Sequence, residues 1–150
     1  LGTAAPKGDV LAYKIFFNKP ASEAFAFAFA TIAQPNFKIE DGDLLEYDVY
    51  LSEDMSGIGA IDGTLDGGRT MRDSFNMTDT TGLRVPPSAD LSDQATGAWY
   101  HRVIRLGNAA SDDATLQTLQ LAAHPEAQYG AFTKVDVTVY YDNIVITRAG

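Results

Sequence analysis

Trp99, His101 and Arg102 stand together in GAWYHRVIRL, residues 97–106, where period-two alternation reads as a strand. Such a row offers an aromatic plate for the C–H face of a sugar ring and donors for its hydroxyls. A second polar cluster lies in IDGTLDGGRTMRDSF, where Asp62, Arg69, Arg72 and Asp73 fall on or beside one hairpin. A guanidinium is a rigid fan of donors and a carboxylate supplies several acceptor sites, so these residues suit hydroxyl recognition. The expectation is one surface, with Asp62, Arg72 and Asp73 beside Trp99, His101 and Arg102. The plainer alternatives are cross-strand ion pairs on a solvated face and a Trp99 that only fills the core. A one-residue slip in registry would bury Trp99 and expose Tyr100 instead.

The carboxylates raise separate questions. In a regular strand, VYYDNIVIT places Tyr140, Asp142, Ile144 and Ile146 on one face, so Asp142 stands in line with core residues. An unpaired buried charge costs several kcal/mol, so Asp142 needs a cation. Arg102 is one candidate and calcium is the other, with Asp41 and Asp43 of the EDGD turn as further metal ligands. No EF-hand spacing is present, so a calcium site would be assembled from distant segments. Glu46 and Asp48 in LLEYDVYL have the i, i+2 spacing of one strand face. This resembles the Glu-x-Asp-x-x-Glu strand of laminarinase-type jelly-roll hydrolases, but Leu51 stands where the third acid belongs. No Gly-x-Ser-x-Gly elbow and no Gly-rich phosphate loop exist, and the chain is not expected to be an enzyme by itself. The absence of cysteine excludes thiol chemistry and thiolate metal sites. With only His101 and His124, a zinc centre is not expected.

These residues need a scaffold, and the composition permits one. A chain of 150 residues, 45% hydrophobic and 21% charged, can bury a substantial core as one domain. A net charge of -9 argues against a nucleic-acid or anionic-membrane partner, which would require a basic face. No apolar run reaches the roughly 18 residues of a membrane span. LGTAAPKGD lacks the basic-then-apolar order of a signal peptide and reads as a linker remnant over residues 1–8.

The dominant period is two. In SEAFAFAFATIA, Phe25, Phe27 and Phe29 alternate with alanines, as on one face of a strand. Further strands are expected at 10–17, 44–51, 59–65, 69–75, 99–106, 115–122, 128–134 and 138–147. NKPAS, EDGD, DGG, TDTTG, VPPSAD, GNAASDD and HPEA supply turn chemistry between them. LDGGR is a hairpin signal, because Asp-Gly-Gly tolerates positive φ. Residues 78–97 form the longest stretch without strand character and are expected to wrap a rim. Short strands with frequent turns and no long helix predict a single all-β domain, an antiparallel β-sandwich or jelly roll.

WYHRVIRL followed by a closing YYDNIVIT strand resembles the jelly-roll carbohydrate-binding modules appended to bacterial polysaccharide-degrading enzymes. GDLLEYDVYL also looks like the second or third strand of such modules, and the resemblance covers roughly residues 8 to 147. It implies a non-catalytic, monomeric module that binds a polysaccharide or oligosaccharide beside a covalently linked catalytic domain, outside the cell or in the periplasm. In many relatives the last-strand Asp helps to bind a structural calcium, and Asp142 alone maps onto that pattern. Two other readings stay open: a structural sandwich packed on a catalytic domain, and a small jelly-roll lyase or hydrolase.

Overall fold

A computed structural model describes residues 10–18, 28–51, 57–74, 77–83, 85, 98–108, 114–125 and 134–148. The expectations for residues 1–8, 22–27 and 128–133, and for most of the 78–97 stretch, lie outside the described residues. The described chain forms eight strands: β1 (Leu11–Asn18), β2 (Ala28–Ala33), β3 (Phe37–Lys38), β4 (Leu44–Leu51), β5 (Gly57–Leu65), β6 (Ala98–Arg105), β7 (Thr115–Pro125) and β8 (Lys134–Thr147). The first sheet runs β1-β8-β4-β6. The second is centred on β7, with β5 along one edge and β2 and β3 end to end along the other. Every strand pairing is antiparallel, and the two sheets pack face to face as an all-β sandwich. The expected closeness of the first and last strands holds, since β1 pairs with β8 from Leu11 opposite Tyr141 to Asn18 opposite Lys134.

Alternation decides what each strand buries. Leu45, Tyr47 and Val49 of β4, Ile104 of β6 and Val139 and Tyr141 of β8 point inward from the first sheet. Ile61 and Leu65 of β5 meet them with Leu116, Leu119, Leu121 and Ala123 of β7. Full burial of a Leu or Ile side chain contributes about 1.5–3 kcal/mol, so this cluster dominates the stability. Tyr141 donates its hydroxyl to the Ala122 carbonyl at 3.0 Å and so bonds β8 to β7 through the core. Burial pushes its phenol well above the ordinary range. The sheets approach closely at Gly59, where an added Cβ would collide with the Val139 side chain and stand 2.8 Å from the Tyr141 hydroxyl.

Two strand expectations are corrected. Residues 69–74, the described part of the strand expected at 69–75, do not form a strand, although the turn before them is made as expected. Gly67 and Gly68 adopt φ of 71° and 75° in a single 3-10 turn, and the Leu65 amide donates to the Arg69 carbonyl at 2.8 Å. The pairing then stops at one bridge between Thr64 and Thr70. Met71 dives into the core, while the Arg72 amide and guanidinium both bond Asp62, which curls the segment back over β5.

The second correction concerns β8. Glu46 pairs with Val145 but Asp48 pairs with Asp142, so one extra residue bulges between them. Asn143 occupies that bulge with φ of 51°, a left-handed conformation that asparagine tolerates. The bulge inverts the alternation. Tyr141, Ile144 and Ile146 face the core, and Tyr140 and Asp142 face outward. Asp142 is therefore half-buried on the outer face rather than in line with the isoleucines.

Candidate functional site

The outer face of the first sheet gathers the chemistry-bearing side chains. With Leu45, Tyr47 and Val49 turned inward, β4 must present Glu46, Asp48 and Tyr50 outward. On β6, Arg102 and Ile104 are buried while Trp99, His101, Val103 and Arg105 take the outer side. The register places Tyr50 opposite Trp99 on one flank and Tyr140 on the other. It likewise places Asp48 between His101 and Asp142.

Two rows result. The aromatic row runs Trp99, Tyr50, Tyr140. The first pair has ring centroids 5.4 Å apart at 56°, and the second is an edge contact at 6.1 Å. Trp99 and Tyr140 are half-buried and flank a buried Tyr50. The polar row runs His101, Asp48, Asn143. His101 Nδ1 lies 2.6 Å from Asp48 Oδ1, and Asn143 Nδ2 donates to Asp48 Oδ2 at 2.7 Å. A carboxylate only accepts, so Nδ1 carries the proton and Nε2 is directed toward Glu46 Oε1 at 3.5 Å. The hydrogen bond to Asp48, aided by Glu46 and opposed by partial burial, holds the His101 imidazole above its ordinary pKa. Asp48 is 3% exposed, whereas the His101 side chain keeps 48% of its surface in solvent. A half-buried aromatic row beside an ordered set of donors and acceptors can receive a polar ring through its apolar face and its rim at once.

Arg102 does not belong to this surface. It is 4% exposed, points inward, and donates from Nε and Nη2 to Asp79 Oδ2 at 3.2 and 3.1 Å. Its Nη1 reaches the Tyr47 hydroxyl at 3.0 Å and the Val85 carbonyl at 3.4 Å. Asp79 Oδ1 in turn accepts from the Thr81 amide and hydroxyl and the Leu83 amide. Burial pushes Asp79 up, but the Thr81 and Leu83 bonds and the Arg102 charge outweigh it, leaving the carboxyl below its usual range. Arg102 therefore ties Asp79 and Val85 to β6 instead of meeting a ligand or Asp142.

Asp62, Arg72 and Asp73 are likewise not beside Trp99. Gly59, Ile61 and Gly63 turn toward the core from β5, so Asp62 projects from the opposite side of the sandwich. Arg72 Nη1 donates to its Oδ2 at 2.9 Å, and the Gly63 and Arg72 amides donate to Oδ1 at 2.7 and 3.2 Å. The guanidinium also lies 4.5 Å over the Phe29 ring of β2. Asp62 is fully buried, and burial raises its pKa against the lowering effect of Arg72 and the two amides. Asp73 is exposed and bonded to the Thr70 hydroxyl. The expected single surface is thus divided between the two outer faces.

The three acids suggested for a metal are also separated. Asp43 is fully buried; its Oδ2 accepts from the Glu40 amide at 2.7 Å and from Arg148 Nη2 at 3.3 Å. Arg148 supplies the cation there and stacks 4.4 Å over the Phe37 ring. Asp41 is exposed. Asp142 lies six residues before Arg148 on β8, roughly 20 Å along an extended strand. Its Oδ1 accepts from the Asn143 amide at 2.8 Å. Among the described residues, no group of three or more His, Asp and Glu side chains is placed to hold a metal ion. No helix among them is long and apolar enough to cross a membrane.

Sequence reasoning missed Tyr50, Tyr140 and Asn143 as parts of the site. Tyr50 was legible, since Glu46, Asp48 and Tyr50 follow i, i+2, i+4 in LLEYDVYL. Asn143 was not, because its place depends on the bulge. Compared with known proteins, the chain matches no protein-family model and no curated sequence.

Proposed function

We propose that the chain is a non-catalytic carbohydrate-binding module, with the outer face of the first sheet as its ligand surface. The observation that carries this reading is the Trp99–Tyr50–Tyr140 row set beside the His101–Asp48–Asn143 network. Sugars present apolar C–H faces and a rim of hydroxyls, and this pairing of rings with fixed donors and acceptors complements both. The row crosses three strands, about 10 Å, the reach of a short oligosaccharide segment. The resemblance of WYHRVIRL and YYDNIVIT to modules of bacterial polysaccharide-degrading enzymes supports the same role, attached to a catalytic domain that acts outside the cell or in the periplasm. A structural calcium belongs to that resemblance and is tested by melting with and without chelator. An ion at 100 times its dissociation constant would add about 2.7 kcal/mol.

Affinity electrophoresis in gels containing a panel of polysaccharides tests the role. At least one polysaccharide should retard the protein, and Trp99→Ala or Tyr140→Ala should abolish the retardation with an unchanged circular dichroism spectrum. Migration unaffected by every polysaccharide would end this reading.

A second reading, a small jelly-roll hydrolase, draws on one observation: Asp48 orients His101 next to Glu46. Release of reducing ends from the retarding polysaccharide would favour it over simple binding.

A further inference from the structure

The charges around the aromatic row bear on the class of glycan, an inference that rests on the carbohydrate-binding role proposed above. Glu46, Asp48 and Asp142 all lie on the same outer face, on the side of the row that carries His101. Asp48 is buried and occupied on both oxygens by His101 and Asn143, so the carboxylates left to meet a ligand are Glu46 and Asp142. No described cation forms an ion pair with Asp142.

The imidazole beside the row, His101, is engaged between Asp48 and Glu46, and the described lysines and arginines are placed elsewhere. Recognition of a uronate or sulfate calls for a fork of guanidinium donors aimed at the anion. Arg102 is turned into the core onto Asp79, and Arg72 is held by Asp62 on the other outer face. Arg105 shares the outer side of β6 but stands opposite Leu44, about 20 Å along the strand from Trp99. Among the described lysines and arginines, Lys14 of β1, opposite Thr138, shares this outer face beside the row, on the side away from the acids. It is an exposed point charge on a flexible stem. A carboxylated sugar seated on Trp99 and Tyr140 would bring its charge against Glu46 and Asp142. Hydroxyl or ammonium donors would instead find acceptors there.

We propose that this face selects a glycan without anionic groups, a neutral or amino-sugar polysaccharide, whose donors engage Glu46 and Asp142 while its ring stacks on Trp99 and Tyr140.

The test compares retardation in gels containing β-glucan, xylan, galactomannan or glycol chitosan with gels containing polygalacturonate, alginate or chondroitin sulfate. At least one of the first group should retard the wild-type protein, and the acidic group should not. The Glu46→Gln/Asp142→Asn double variant should bind the retarding glycan about tenfold more weakly. Asp142→Lys, a half-buried surface change, should gain affinity for the acidic group. Retardation chiefly by an acidic glycan, lost in Tyr140→Ala, would overturn the charge inference and leave the carbohydrate-binding role standing. Retardation by none of the seven would remove both. If Glu46→Gln/Asp142→Asn binds as well as wild type while Tyr140→Ala does not, the carboxylates take no part and the inference fails on its own.

Discussion

His101 Nδ1 stands 2.6 Å from Asp48 Oδ1 across the β4–β6 pair, and the other oxygen of Asp48 accepts from Asn143 on β8. One buried carboxylate thus ties three neighbouring strands together on their outer face. The imidazole is held by Asp48 and faced by Glu46, with Asn143 completing the network.

That environment raises the folded-state pKa of His101 above 6.5, so the fold favours its protonated form. A raised histidine contributes stability that is fully present below pH 6.5 and is lost as pH rises through the folded value. The melting temperature of the wild-type protein should accordingly fall relative to His101→Gln as pH is raised above 6.5. Parallel melting profiles for the two proteins across that range would show that the pair carries no such linkage.

Arg102→Ala should destabilise the domain by about 3–5 kcal/mol in urea unfolding, since it leaves Asp79 buried without its cation. Arg102→Met combined with Asp79→Asn should lose less than the single alanine variant. Any glycan affinity should persist in the folded double variant, because neither side chain lies on the outer face.

Arg72→Ala should cost about 1–3 kcal/mol, the penalty for a buried acceptor that loses a partner. Burial already raises Asp62, and removal of the guanidinium raises it further. The penalty should therefore shrink as pH is lowered and Asp62 becomes protonated. Glycan retardation should be unchanged in Arg72→Ala; a loss of binding would place the ligand on the other sheet.

At Asn143 the backbone and the side chain can be separated. Asn143→Gly keeps a residue suited to φ of 51° and loses one hydrogen bond to Asp48, costing about 1 kcal/mol. Asn143→Val should add about 1–2 kcal/mol for the left-handed conformation. Equal stabilities of the two variants would show that the bulge relaxes without strain.

Much of this protein was legible in its alternation. LLEYDVYL at 44–51 is β4 to the residue, and its period of two already sorted Leu45, Tyr47 and Val49 from Glu46, Asp48 and Tyr50. The same holds for β6, where Trp99 and His101 do share a face with Val103 and Arg105. The side-chain period of a strand is a local property, so face membership can be read from the chain itself.

What the alternation left open was decided at a distance. The bulge at Asn143 shifts the phase of β8 by one residue, which puts Asp142 beside Asp48 instead of among the isoleucines. The pairing of β5 with β7 and of β6 with β4 sends Asp62 and Trp99 to opposite outer faces, although the sequence alone groups both in one polar surface. Arg102 found Asp79 through a loop that returns to β6, not through any neighbour on its own strand. Which sheet a strand joins, and which charge a buried guanidinium meets, depend on contacts between residues far apart in the chain. In β4 and β6 local alternation alone assigns strand and face; contacts between distant segments set the phase of β8 and which faces meet, because burial and charge pairing are satisfied only between elements already brought together.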